Sequence, residues 1–175
     1  HLGDHEQLRL LSYGCSTGEE VITLRKYFPL AQLVGAEINP QSLARCMELD
    51  VDERITFVHS TPERVARHGP YDAIFCLAVL QRTPHLVEAN NLTSLTGVYP
   101  FERFDNQLTE LDAILKPGGL LVVHHTQYVV GQASIANRYE APAGGPVVPE
   151  YAPRFDRQSR RIDGPVDPAS IFVKR

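Results

Sequence analysis

From residue 8 to residue 126 the chain alternates short apolar runs with segments whose apolar residues recur at helical spacing. Residues 8–13 (LRLLSY) form an apolar run that stops at Gly14. EEVITLRKYFP follows, with Val21, Leu24 and Phe28 on one helical face before Pro29 ends it. A second run, AQLVGAEI (31–38), leads to Asn39, a natural N-cap, and to Pro40 at the first helical position. The helix opened there sets Leu43, Ala44 and Met47 on one face. ITFVHS (55–60) predicts a third strand, followed by Thr61 as cap and Pro62 at the start of a short helix. YDAIFCLAVL (71–80) is a continuous apolar run, the pattern of a strand covered on both faces in a parallel sheet. In PFERFDNQLTELDAIL the residues Phe101, Phe104, Leu108, Leu111 and Leu115 share one stripe, and KPGG ends that helix ahead of a fifth strand, LLVVHHT (120–126). Five strands alternating with four helices predict an α/β fold: a doubly wound, mostly parallel sheet with right-handed crossovers and helices on both faces.

Beyond residue 126 the alternation ends. APAGGPVVPEYAP is rich in Pro and Gly and reads as loop. RFDRQSRRIDGPVDPASIFVKR reads as a charged segment and then a short strand at Ser170 to Val173, expected to pair antiparallel at the sheet's edge beside the later strands. Residues 84–100 (PHLVEANNLTSLTGVYP) read as an insertion next to the fourth strand, a usual place for substrate-facing loops. With no repeat and no second domain in the pattern, residues 1–175 are read as one domain. The chain opens on His1 rather than Met, so an upstream segment is expected to be missing.

The turn after the first strand, GCSTGEE, is where this architecture places a ligand. In open parallel sheets ligands bind outside the carboxyl ends of the strands, where the strand order reverses. Gly14 and Gly18 bracket the turn, and glycine there permits positive φ and close approach to the backbone. Glu37 closes the second strand, nineteen residues after Gly18, where a carboxylate can accept both hydroxyls of a ribose. Taken singly, the glycines suit any tight turn and Glu37 any solvated strand end; taken together they predict a nucleoside ligand. A dinucleotide fingerprint reads G-x-G-x-x-G, but the middle position here is Ser16 and the helix opens with Glu19 and Glu20. Two carboxylates repel a pyrophosphate at a helix N-terminus yet suit a ligand carrying an ammonium and a sulfonium. A Walker loop is excluded because no Lys follows Gly18.

Composition narrows the partners. The chain is 43% hydrophobic and 22% charged, as in ordinary globular proteins. A net charge of -4 and a pI near 6.0 give no electrostatic reason to expect a nucleic-acid or membrane-surface partner, since a phosphate backbone is normally met by a basic face, so a small-molecule or protein substrate is expected. Cys15, Cys46 and Cys76 are far apart, sit in apolar or glycine-rich stretches and lack metal-ligand spacing. They are read as reduced core thiols in a cytoplasmic protein, with no metal site. No apolar run approaches the roughly 18 residues of a membrane span, and the sequon at Asn91-Leu92-Thr93 is read as a chance match.

GCSTGEE, VGAEINP some twenty residues on, YDAIFCLAVLQR and LTELDAILKPGGLLVV together resemble the ordered motifs of class I S-adenosylmethionine-dependent methyltransferases. The similarity covers residues 8 to about 126, and the first turn resembles that of the chemotaxis-receptor glutamate methyltransferases. The resemblance implies a Rossmann-like, seven-stranded sheet whose last strand is antiparallel, with S-adenosylmethionine as cofactor. On that plan Gly14, Cys15 and Gly18 line the methionine moiety, and Glu20 accepts from its amino group. Glu37 holds the ribose, Ile38 lies against adenine, Ser60 and Thr61 face the adenine edge, and Leu77 and Ala78 lie under the sulfonium. Two positions depart from the family's habit: Ser12-Tyr13 replaces the acidic residue often found before the first glycine, and Ser60-Thr61 replaces the one after the third strand. Nothing resembles the chemotaxis enzymes' helical amino-terminal domain, so receptor methylation is not carried over. A silent nucleoside-binding module and a nicotinamide-dependent oxidoreductase are the alternatives, the second disfavoured by Ser16.

Methyl transfer needs a dedicated base only for a poor nucleophile, since proximity and orientation supply much of the acceleration. The candidates on the acceptor side are Gln81 and Arg82 after the fourth strand and His124 and His125 at the end of the fifth. Strand alternation predicts that only one histidine faces the substrate and that the pair diverges. Each imidazole has two open readings, a structural hydrogen-bonding group or a base. The arginines of PRFDRQSRRID, interleaved with Asp156 and Asp163, predict a solvated hairpin rather than an anion site. Tyr128, Tyr139 and Tyr151 are either a lid or scattered surface aromatics.

Overall fold

Strand β1 (Arg9–Tyr13) pairs in parallel with β2 (Gln32–Glu37) on one side and with β4 (Tyr71–Leu77) on the other, while β2 pairs in parallel with β3 (Ile55–His59). The full sheet of this computed structural model has seven strands in the order β3-β2-β1-β4-β5-β7-β6, with β5 at Leu115–His124, β6 at Tyr139–Glu140 and β7 at Ile171–Lys174. β7 is antiparallel, as the expected fold requires. The structure describes residues 2–142, 153–164, 166 and 169–175. These group into two units, His1–Cys76 with Ile114–Leu121 and Leu77–Ala113 with Val122–Arg175.

In the first unit, helices α1 (Glu19–Tyr27), α2 (Pro40–Met47) and α3 (Pro62–Ala66) follow β1, β2 and β3. Leu33 through Glu37 are all buried, which explains why β2 is continuously apolar rather than alternating. The caps behave as their residue types dictate: Asn39 accepts a hydrogen bond from the Gln41 amide at 2.9 Å, and Thr61 accepts one from Arg64 at 3.4 Å. Gly35 is a packing glycine. A Cβ there would lie 2.6 Å from Phe57 and 2.9 Å from Val21, so the α1 and β3 side chains close directly over the β2 backbone. One face differs from the expectation. Met47 and Ala44 are exposed on α2, and Cys46, whose thiol reaches the Ser16 carbonyl at 3.2 Å, is the buried residue.

In the second unit the stripe on helix α5 (Phe101–Ile114) is as predicted, with Phe101, Phe104, Leu108 and Leu111 buried. Burial of each such side chain contributes roughly 1.5 to 3 kcal/mol. Residues 84–100 are not wholly loop: Pro84–Ala89 form a fifth helix, α4. Strand β5, whose opening residues belong to the first unit, begins at Leu115 rather than at residue 120, so KPGG lies inside it. Lys116 is held by both oxygens of Asp72, at 2.8 and 2.9 Å, and Gly118 takes φ 77, which lets the strand bend rather than stop. The last strand does not form the edge; β7 lies between β5 and the two-residue β6, which the alternation pattern is too short to reveal.

Candidate functional site

The first turn is wound tightly. Gly14 takes φ 79, Ser16 φ 52 and Gly18 φ 96, three left-handed residues within five. The Gly14 and Cys15 amides both donate to the Ala36 carbonyl, at 2.7 and 3.1 Å, so the turn is pinned against the carboxyl end of β2. At Gly18 an added Cβ would lie 2.7 Å from Leu49 and 3.3 Å from Phe57. Core packing as well as φ therefore demands glycine, and the Cβ side of Gly18 faces the core.

Glu37 is 7% exposed, which overturns the solvated-strand-end alternative. Its Oε2 accepts from the Ser16 amide at 2.8 Å and its Oε1 from the Asn39 amide at 2.7 Å. One carboxylate thus ties the turn after β1 to the turn after β2, and each oxygen keeps a further acceptor position. The Ser16 amide, which a dinucleotide would need facing its pyrophosphate, is directed to Glu37 instead. Glu20 accepts from the Ser12 hydroxyl at 2.6 Å. Burial pushes the Glu20 carboxyl above the usual glutamate range, with the Ser12 bond opposing. Among the described residues neither Glu20 nor Glu37 has a cationic partner. Glu19 is different: Thr17 donates to it, and its carboxyl is held below the usual range by that bond.

The remaining predicted residues of this unit take simple places. Cys15 is buried, and its thiol is pushed far up by burial, next by Cys46. Ile38 is 69% exposed beside Glu37, an uncovered apolar side chain where an adenine is expected. The Ser60 amide donates to the Glu37 carbonyl at 3.0 Å, and Thr61 caps α3. Ser12 and Asn39 are the additions that sequence reasoning missed as site residues; both sit immediately beside a turn, which was the available signal.

In the second unit Leu77 is half-buried and Ala78 exposed, the latter at φ 60 with its amide donating to the His124 carbonyl at 2.9 Å. Gln81 donates to the Ala78 carbonyl at 3.2 Å. The Arg82 guanidinium donates to the carbonyls of Val79 and Gln81 and lies 5.2 Å from the Tyr99 ring, so it braces its own loop. Gln127, fully buried and overlooked in the sequence, grips the Arg82 backbone from both sides: the Arg82 amide donates to it at 2.8 Å, and its amide group donates to the Arg82 carbonyl at 3.0 Å.

The two histidines do not diverge. His125 takes φ 51, ending the strand's alternation, and the two rings lie 3.9 Å apart. His125 is exposed. His124 has its Nε2 buried and lines a cavity of about 20 Å³ with Thr126, Tyr128, Arg154 and Ser170. Burial, and then the neighbouring His125 and Arg154, lower the His124 pKa, so this imidazole is neutral at physiological pH. Among the described residues no group of three or more potential metal ligands gathers.

The predicted hairpin forms, with Phe155 bridged to Arg161, but it is less solvated than expected. Phe155 and Ser159 are buried, and Ser159 accepts from the Phe101 amide at 3.0 Å and from the Tyr128 hydroxyl at 2.9 Å. Tyr128 and Tyr139 are buried, so they are neither lid nor surface aromatics; Tyr151 lies outside the described residues.

A family model described as a methyltransferase domain matches residues 2–154. No curated protein matches the sequence. Among solved structures, the cyclopropane synthase MmaA2 from Mycobacterium tuberculosis superposes with a TM-score of 0.52 at 17% identity, over 70% of this chain and 38% of its own. PKMT2 from Rickettsia typhi superposes at 0.50 with 18% identity, over 70% of this chain and 22% of its own. The plantazolicin methyltransferase BpumL, in complex with SAH, scores 0.48 at 18% identity, over 66% and 38%. These likenesses concern the fold. The chain thus spans well under half the length of each.

Proposed function

The chain belongs to the methyltransferase domain family, and from that premise we propose that it binds S-adenosylmethionine and transfers its methyl group to a small molecule or a protein side chain. The observation that carries this reading is the pair of carboxylates Glu20 and Glu37, without a cation among the described residues and set beside a turn that holds three left-handed residues. Glu37 is built to accept the two ribose hydroxyls on its remaining lone pairs, Glu20 to accept from the ammonium, and Gly14 and Cys15 to let the methionine moiety lie close to the backbone. A cation arriving at Glu20 also offsets the desolvation of that carboxylate. Ile38, Ser60 and Thr61 are proposed for the adenine. Leu77 and Ala78 are proposed for the sulfonium end on the family resemblance. When bound, the cofactor supplies a methyl group activated by a sulfonium leaving group.

On the acceptor side the geometry separates the histidines. We assign the exposed His125 to proton acceptance or substrate contact, and the inward His124, facing its small cavity, to structure. Replacing His125 with Gln should lower turnover by roughly 10², the usual share of a general base, while His124→Gln should not. The buried thiols fit a reducing compartment, and a cytoplasmic location is proposed on that ground. Among the described residues no helix is long and apolar enough to cross a membrane.

The test is a thermal shift with S-adenosylhomocysteine, S-adenosylmethionine, NADH and ATP side by side. A specific ligand at 100 times its dissociation constant stabilises by about 2.7 kcal/mol. A shift with the first two supports the proposal; a shift with NADH and none with S-adenosylhomocysteine overturns it.

A further inference from the structure

A second pocket, of about 400 Å³, opens in the first unit at the amino ends of β1, β2 and β3. It lies about 15 Å along β1 from the glycine turn, at the opposite end of the strands. Its volume falls within the range of small-ligand sites, about 300 to 1,000 Å³. Three arginines reach it from three separate elements: Arg9 opens β1, Arg54 precedes β3, and Arg67 follows α3. Glu6 is the one carboxylate in its lining, 3.6 Å from Arg54 and 65% exposed.

Glu6 offsets part of that charge, and the rest is left over for a structural reason. Of the acids near Arg54 and Arg9, Asp52 is taken by Arg25 at 2.9 Å, Glu53 is exposed and forms no ion pair among the described residues, and Asp72, beside Arg9, is taken by Lys116 at 2.8 Å. Arg9 donates to the Gly69 carbonyl at 3.1 Å, which fixes its guanidinium against the loop that carries Arg67 and His68. Among the described residues Arg67 makes no ion pair. In a chain of net charge -4 this leaves a locally positive pocket, with Gln32 and Thr56 adding neutral hydrogen-bonding groups. Guanidinium forks match the oxygens of a phosphoryl group two at a time, and several converging forks select a multiply charged anion over a single carboxylate.

We propose that this pocket binds a small molecule bearing a phosphoryl group, at a site separate from the methyltransferase turn and independent of its activity. The test is a titration of the isotope-labelled chain with pyrophosphate, followed by amide NMR shifts, against sodium chloride at equal ionic strength. Saturable shifts at Arg9, Gln32, Thr56, Arg67 and His68 are expected with pyrophosphate alone. Arg67→Gln, an exposed substitution that breaks no ion pair, should weaken binding at least tenfold, the scale of one charge-assisted contact, and leave S-adenosylhomocysteine affinity intact. The proposal is overturned if the chloride control produces the same shifts, if no shift saturates, if the shifts centre on residues 16–20, or if Arg67→Gln binds as the parent does. Failure of S-adenosylhomocysteine to bind would count against the methyltransferase reading and leave this one standing.

Discussion

Two buried carboxylates, one in each unit, sit in contrasting company. Asp112 on α5 is 2% exposed and saturated with donors: Arg138 and Lys174 pair with it, and the Tyr139 hydroxyl donates to it at 2.9 Å. Glu37 at the end of β2 is nearly as buried, yet only two backbone amides meet it and, among the described residues, no cation does. Burying an ion is tolerated when a counter-ion and hydrogen bonds replace the lost water. Asp112 obtains both from its own chain and joins α5 to β6 and β7, so its role is complete without a ligand. Glu37 obtains the hydrogen bonds alone, and the acceptor positions it keeps are what a ribose needs. On the proposed reading, a buried acid without a counter-ion points to a ligand where burial by itself does not.

The contrast breaks most forcefully at Asp112. Replacing it with Ala leaves Lys174, Arg138 and the Tyr139 hydroxyl around an unfilled site and should cost about 3 to 5 kcal/mol, read as a lowered denaturant midpoint. Ligand affinity of the folded fraction should not change. The pH response carries the sign: burial alone would raise the Asp112 carboxyl, but the bonds from Tyr139, Lys174 and Arg138 outweigh it and hold the group below the usual 3.8. Its stabilisation is thus full above that value and is lost as pH falls through the lower folded-state value. The parent should lose stability on acidification below about pH 4, and Asp112→Asn should lose less over the same range.

Next in size is Gly18→Val. The left-handed backbone and the contact with Leu49 together should cost about 2 to 4 kcal/mol, measured by chemical denaturation. A variant as stable as the parent would show that the turn can relax and that Gly18 is not a packing requirement.

The smallest effect, and the one of opposite sign, is expected at Glu20. Its carboxyl is raised by burial, so the ionised form is disfavoured in the folded state. Glu20→Gln keeps an acceptor for Ser12 and should raise the melting temperature of the ligand-free chain slightly at neutral pH while weakening S-adenosylhomocysteine. A lowered melting temperature would mean that the carboxylate serves the fold rather than the ligand.

Legibility followed how local each feature is. The tight turn and its left-handed glycines are legible because strand, turn and cap lie within a few residues of one another, and their spacing together, rather than any one residue, marks the place. The sheet's far side was less so. β6 has two residues, too few for any periodicity, and β7 was placed at the edge because nothing in SIFVKR reveals that Tyr139–Glu140 lies outside it. Asp112 and Gln127 were missed because their partners lie 26 to 62 residues away, at Arg138, Tyr139 and Lys174 for one and 45 residues away at Arg82 for the other. The histidine pair escapes the alternation rule because the backbone turns left-handed at His125.

The central claim is that Glu37 is a ligand's carboxylate. Calorimetric titration of S-adenosylhomocysteine into the parent chain and into Glu37→Ala tests it directly. Two lost charge-assisted bonds at roughly 1.5 to 3 kcal/mol each set the upper limit, and the account predicts saturable one-to-one binding by the parent with at least a tenfold loss in a variant that still melts cooperatively. Equal affinity in the two proteins, or no binding to the parent, would contradict it.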